Sequence, residues 1–203
     1  MKKIIYTQRV EVIESYNERR DCTDQRIADF IRACGFLPLP VPNNASIVKD
    51  IVNEVKPDGI VLVGGNSLVK YGGNAPERDA TDSLLIQFAI DKKIPIYGFC
   101  RGMQSILDYF GNDLVKVKGH VAVRHIVSGL EEAVDVNSYH NEACVALNSD
   151  VLVVVMKTKD GVIEKIRHKT LPIVGTMWHP EREEPFREVD KNLLIQLVGG
   201  EKE

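Results

Sequence analysis

One of the four cysteines is framed as a nucleophile would be. In Pro95-Ile96-Tyr97-Gly98-Phe99-Cys100-Arg101-Gly102-Met103-Gln104 a short apolar run reaches Gly98, and a helical pattern starts at Met103. Gly-x-Cys-x-Gly is the thiol form of the strand-to-helix elbow, which holds one side chain clear of the backbone. Small residues two before and two after the apex let the strand and helix backbones approach closely. The helix N-terminus that follows sets positive partial charge near the sulfur and favours thiolate. A lone cysteine is ordinarily a small buried hydrophobe. Cys34, on the apolar face Ile27, Phe30, Ile31 and Cys34, reads that way.

A thiolate nucleophile needs a base, and the base needs a group to orient it. Trp178-His179-Pro180-Glu181 follows an apolar run at Ile173–Met177, so His179 is expected at a strand end on the edge that carries Cys100. Glu181, two residues on across the rigid Pro180, is placed to hold the second imidazole nitrogen. Gly64-Gly65 ends another apolar strand and can present a backbone N–H with no side chain in the way. The N–H of Arg101, just after the thiol, is the second oxyanion donor expected of an elbow. Metal binding is the competing use of these residue types. His120 and His125 are five apart, and His140 and Cys144 four apart. Neither pair has the second half that a structural zinc site needs, so no metal is expected.

The elements that would position these groups follow from periodicity. Strands are expected at Lys3–Gln8, Leu37–Val41, Gly59–Val63, the elbow strand and Ile173–Met177. Helices are expected from an Asp21 or Thr23 cap to Gly35, over Ile47–Val55, over Thr81–Lys92, after the elbow, and over Val189–Leu197. Alternating strands and helices with short connections predict a mostly parallel α/β sheet, flavodoxin-like, with helices on both faces. Val151–Lys157 and Val162–Arg167 flank Asp160-Gly161 and predict a β-hairpin extension. Arg9–Arg20 reads as a polar loop, and Asn112–Asp135 carries no clear pattern. No repeat or linker interrupts residues 1–203, which are read as a single domain.

The 203 residues carry a formal charge of -3, with 44% hydrophobic and 27% charged residues. No basic excess exists to neutralise phosphates, which argues against a nucleic-acid partner. No apolar run spans a bilayer and no signal-peptide pattern opens at Met1-Lys2-Lys3. A cytoplasmic protein with reduced thiols and no membrane partner is expected.

Three stretches together resemble the class I glutamine amidotransferase superfamily: Gly98–Gln104, Val136-Asn137-Ser138-Tyr139-His140 and Trp178–Glu181. The Cys-Arg-Gly-Met-Gln form, with Asp160-Gly161-Val162-Ile163-Glu164, is closer to the free-standing γ-glutamyl hydrolase branch. The resemblance spans nearly the whole chain and implies a Cys100-His179-Glu181 triad. It also implies oxyanion donors at Gly65 and Arg101, and γ-glutamyl recognition by Gln104 and the Ser138-Tyr139 backbone. The chain departs from that branch in being short, and in Asn141 where a second histidine is common. Tyr6–Asn43 and the short length narrow the resemblance to bacterial hydrolases of capsule phosphoramidate synthesis. Arg19 and Arg20, leaving the first strand at the site's edge, are then expected to meet a phosphate-bearing leaving group.

The implied reaction is hydrolysis of a small-molecule γ-glutamyl amide to glutamate and an amine, with no metal or organic cofactor and no protein partner required. Two alternatives use the same residues. One is the glutaminase component of a two-chain amidotransferase, passing ammonia to a synthase. The other is a redox sensor built on Cys100, which would leave His179-Pro180-Glu181 unexplained.

Overall fold

Nine strands share one sheet, and the chain enters it near one edge and fills it by crossovers. The computed structural model describes residues 1–200. β1 (Lys3–Tyr6) sends Ile4 and Ile5 to opposite faces, each into a separate core cluster. The stretch expected to be a loop is instead a hairpin, β2 (Arg9–Ile13) and β3 (Glu18–Cys22), paired from Arg9↔Cys22 to Ile13↔Glu18. Asn17, at φ 48°, makes its turn. Pairs such as Glu11↔Arg20 set opposite charges across the ladder and support it.

α1 (Gln25–Ala33) is capped by Asp24, whose side chain accepts from the Arg26 N–H, not by Asp21 or Thr23. Asp21 instead accepts from the backbone and side chain of Asn43. β4 (Leu37–Pro40), α2 (Ala45–Val55, capped by Asn44) and β5 (Gly59–Leu62) follow as the sequence predicts. α3 (Pro76–Lys92) begins five residues earlier than expected, with Pro76 in its first turn, where a missing N–H costs nothing. β6 (Ile96–Phe99) and α4 (Arg101–Tyr109) flank Cys100.

The unpatterned stretch contains β7 (Val115–Lys116) and the long β8 (Val121–Gly129). β9 (Val134–Tyr139) and β10 (Glu142–Ala143) precede the expected hairpin of β11 (Leu152–Thr158) and β12 (Ile163–His168). β13 (Ile173–Thr176) and α5 (Glu188–Gly199) close the described chain. The sheet order is β4-β1-β5-β6-β13-β12-β11-β8-β9. Pairing is parallel from β4 to β13 and antiparallel from β13 to β9. Hairpin β11–β12 thus grows into an antiparallel wing of four strands. α1 and α5 cover one face of the parallel half, and α2, α3 and α4 cover the other.

The elbow depends on close backbone approach. A Cβ at Gly102 would collide with the Leu62 carbonyl oxygen, and one at Gly98 would stand 2.6 Å from Gly102 backbone atoms. Neither obstacle is the end of a flexible side chain, so it cannot simply swing away. Gly102→Ala is therefore expected to displace α4 from β5 and lower the melting temperature by several degrees, with activity lost in parallel. A thermal melt indistinguishable from wild type would contradict that packing argument.

Candidate active site

The carboxyl ends of β5, β6 and β13 deliver three loops to one sheet edge, where α/β sheets place their ligands. β6 and β13 run in register through Phe99↔Thr176, and the Cys100 N–H donates to the Thr176 carbonyl at 2.8 Å. Cys100 itself sits at φ 51°, ψ −113°, outside the basins open to L-residues. Its strand bond behind and the Gln104 N–H to Cys100 carbonyl bond ahead hold that conformation.

His179 lies three residues past β13, and the 3-10 turn Pro180–Arg182 brings Glu181 back to it. The Nδ1 of His179 and Oε1 of Glu181 are 2.7 Å apart, both side chains buried. Asn137 grips the histidine backbone from both sides. Its Oδ1 accepts the His179 N–H at 2.9 Å and its Nδ2 donates to the His179 carbonyl at 2.9 Å. The imidazole stands edge-on between the rings of Phe99 and Tyr139. A Cβ at Gly64 would lie 2.7 Å from His179 Cε1 and 3.4 Å from Cys100 Cβ. Thiol and imidazole therefore meet over a residue that must lack a side chain.

Charge supports the pair. Burial pushes the Cys100 thiol up, but the charge of His179, a hydrogen bond from its ring and the Arg101 N–H together bring it below its ordinary value. Burial pulls His179 down, while Cys100 and Glu181 lift it to about 9. Both shifts favour thiolate with imidazolium.

The Gly64-Gly65 backbone is held from behind by a residue that no motif in the sequence singles out. Arg78 is wholly buried, and its guanidinium donates to the carbonyls of Val63 at 2.5 Å, Gly64 at 3.0 Å and Gly65. Burial and neighbouring Arg101 bring its pKa down to about 9, so it remains a cation at neutral pH. With the Gly64 carbonyl turned to Arg78, the trans peptide directs the Gly65 N–H the opposite way. The side chain of Arg101 is engaged with Asp82 and Asp79, so only its backbone is left for the sulfur.

These groups line a cavity of about 290 Å³ that includes Gly65, Cys100, Arg101, Gln104, Tyr139 and His179. Gln104 donates to the Glu142 carbonyl at 2.8 Å. Ser138 is buried on β9 opposite Val123, and its hydroxyl is spent on the His120 carbonyl at 2.7 Å. Tyr139 is half-exposed, and the Arg182 guanidinium lies 4.2 Å from its ring centre.

Arg19 and Arg20 are not brought there. On β3 they belong to a ladder rather than a free loop, and each has an acidic partner. Arg19 pairs with Glu77 and donates to the Asn74 carbonyl, and Arg20 pairs with Glu18. The cations beside the cavity are Arg182, in its wall, and Arg9, in an adjoining recess with Gly65, His179 and Glu181. A second polar cluster lies in the antiparallel wing, where His120, His125, His140 and Glu164 converge. Spacing along the chain gave no reason to group them.

A model of the class I glutamine amidotransferase family matches residues 20–191. The chain belongs to this family. Among class I glutamine amidotransferase relatives, a γ-glutamyl-CDP-amidate hydrolase from Campylobacter jejuni is 33% identical over 184 residues, covering 87% of this chain and 88% of its own. An aminodeoxychorismate/anthranilate synthase component 2 from Bacillus subtilis is 33% identical over 156 residues, covering 70% and 75%. A crystal structure of a protein from Thermoplasma acidophilum, designated a GMP synthase component, superposes with a TM-score of 0.73 over 98% of this chain and 94% of that one. At 23% identity that likeness speaks for the fold, which it matches throughout.

Proposed function

We propose that this glutamine amidotransferase-family chain is a γ-glutamyl amide hydrolase with Cys100, His179 and Glu181 as its triad. The observation that carries the reading is the pairing of a depressed Cys100 thiol with a lifted His179 held by Glu181 at 2.7 Å. The Cys100 thiolate attacks the γ-carbonyl, and the N–H groups of Gly65 and Arg101 receive the oxyanion. The departing nitrogen takes the Nε2 proton of His179, leaving a γ-glutamyl thioester. Neutral His179 then takes a proton from water, hydroxide adds to the thioester, and glutamate leaves as the thiolate is restored. Gln104 and the backbone of Ser138 and Tyr139 hold the glutamyl group in this scheme.

For the leaving group, we infer a phosphoramidate such as the cytidine diphosphoramidate end of γ-glutamyl-CDP-amidate. Likeness to the Campylobacter jejuni enzyme along nearly both whole chains supports it, as does Arg182 in the cavity wall. A capsule-building role for the product follows from the same inference. Arg182 takes the part expected of Arg19 and Arg20, since its planar guanidinium suits phosphate oxygens. A charge-assisted contact contributes roughly 1.5–3 kcal/mol, or about ten- to a hundredfold in kcat/KM. The test compares kcat/KM for γ-glutamyl-CDP-amidate and for glutamine in wild type and Arg182→Ala. The expected result is a strong wild-type preference for the phosphoramidate that falls by that factor in the variant. Equal use of both substrates by wild type would remove the leaving-group assignment.

A second reading, a glutaminase component that feeds ammonia to a synthase, is favoured by the Bacillus subtilis synthase component. It requires glutamine turnover that is weak alone and rises sharply with a partner. On the preferred reading, turnover needs no second chain.

A further inference from the structure

In the antiparallel wing, one carboxylate oxygen faces three imidazoles. Glu164 Oε1 lies 3.2 Å from His140 Nε2, 3.5 Å from His120 Nδ1 and 3.5 Å from His125 Nε2. His120, His140 and Glu164 are buried, Glu164 completely, and His125 is largely so. The donor atoms of His120, His140 and Glu164 all lie within 4.8 Å of one another. Three strands or their ends supply this set: Glu164 from β12, His125 from β8, His120 from the approach to β8, and His140 from just past β9.

The distances do not describe ordinary charge-assisted hydrogen bonds. Those run at about 2.7–2.9 Å. The molecule shows what they look like, at 2.7 Å for His179–Glu181 and 2.9 Å for His120 Nε2–Asp160. Ligands bound at about 2.0–2.1 Å around a tetrahedral ion lie about 3.3 Å apart, close to the 3.2 and 3.5 Å that separate Glu164 Oε1 from His140 Nε2 and His120 Nδ1.

Proton accounting points the same way. His120 Nε2 donates to the carboxylate of Asp160, and the tautomer that this bond selects leaves the Nδ1 lone pair bare. That lone pair faces a carboxylate oxygen, and neither His120 Nδ1 nor His125 Nε2 makes a hydrogen bond. Buried acceptors facing one another call for a cation between them. An imidazole whose other nitrogen is held by a carboxylate is also the usual outer support of a metal ligand. A surface recess lined by Gly119, His120, His125, Thr158 and Asp160 gives an ion access.

We infer that His120 Nδ1, His140 Nε2 and Glu164 Oε1 form a site for a divalent transition-metal ion of the Zn²⁺ class, with Asp160 as the residue positioning His120 and His125 at its rim. Two nitrogens and one oxygen suit Zn²⁺ or Co²⁺ and not Mg²⁺ or Ca²⁺. The fourth position falls to water, and amide cleavage by Cys100 and His179 needs no step at the ion. It ties β8 and β12 to the segment that carries Tyr139 into the cavity.

The experiment titrates Co²⁺, then Zn²⁺, into chelator-treated protein, read by visible absorption and calorimetry. Cys100→Ala is titrated beside wild type, because the Cys100–His179 pair is the other place where a thiophilic ion binds. One equivalent of Co²⁺ with tetrahedral d–d bands is expected in both proteins, with Zn²⁺ displacing it. His140→Asn and Glu164→Gln should each weaken binding by at least a hundredfold. Asp160→Asn should weaken it roughly 10–100-fold, as loss of an outer carboxylate does. Asp160 is exposed, so its variant keeps the fold even where Glu164→Gln does not, as circular dichroism will report. No binding by wild type below millimolar Co²⁺ would overturn the site. So would loss of the Co²⁺ bands in Cys100→Ala, or full affinity in a folded Asp160→Asn or Glu164→Gln.

Discussion

Cys100→Ala is expected to abolish glutamate release while leaving the protein folded. The side chain is small and lies at the cavity, so its removal leaves little void in either core cluster. Alanine meets the same steric demand as cysteine at φ 51°, since both carry one Cβ. Stability should therefore stay within about 1 kcal/mol of wild type. Turnover should fall by on the order of 10⁴-fold or more, because loss of a covalent nucleophile removes the whole acyl pathway. Glutamate release and a thermal melt on the same sample decide the matter. Activity within tenfold of wild type would end the thiolate mechanism. Sulfenic acid formation at Cys100 in wild type, without turnover of any γ-glutamyl compound, would favour a redox sensor instead.

His179→Ala should be almost as damaging, since both proton transfers pass through Nε2. Glu181→Gln should lose less, because the carboxylate acts through the imidazole by orienting and stabilising it. The pH profile separates these roles. Acylation needs thiolate and imidazolium together, a state bounded above by the His179 pKa of about 9. The alkaline limb of kcat/KM should therefore fall near pH 9 in wild type. Glu181 is one of the groups lifting His179, so Glu181→Gln should move that limb to lower pH. An unmoved limb, or a Glu181→Gln variant worse than His179→Ala, would refute the assigned roles.

The elbow and the His-Pro-Glu turn were legible because each is local. Gly98, Cys100 and Gly102 declare a close backbone approach within five residues, and His179 and Glu181 meet across one proline. The hairpin β2–β3 escaped because β3, Glu18-Arg19-Arg20-Asp21, carries charges at both alternating positions, although β2 alternates Arg9-Val10-Glu11-Val12. β8 is exposed along most of its length, so no burial rhythm marked it. Arg78 was missed with the first turn of α3, although Arg78, Asp82, Leu85 and Ala89 share that helix's buried face. Asn137 sat in a recognised motif, but its grip on His179 spans 42 positions. The cluster around Glu164 depends on register from β12 across β11 to β8 and β9, which no spacing along the chain encodes. Arg19 and Arg20 pair with Glu77 and Glu18 on β3 and stand outside the cavity lining, a placement that the polar run Arg9–Arg20 does not disclose.

The grip of Arg78 on three successive carbonyls has a consequence in time. Turning over the Gly64–Gly65 peptide plane would strand a buried guanidinium donor and press an N–H against a cation. A lost bond to a charged group costs roughly 1.5–3 kcal/mol before that repulsion is counted. The inverted plane is thus a rare visitor, and the Gly65 donor stands ready before any substrate arrives. Progress curves should accordingly begin at full slope, without lag, and the rate per molecule should be the same in dilute and concentrated samples.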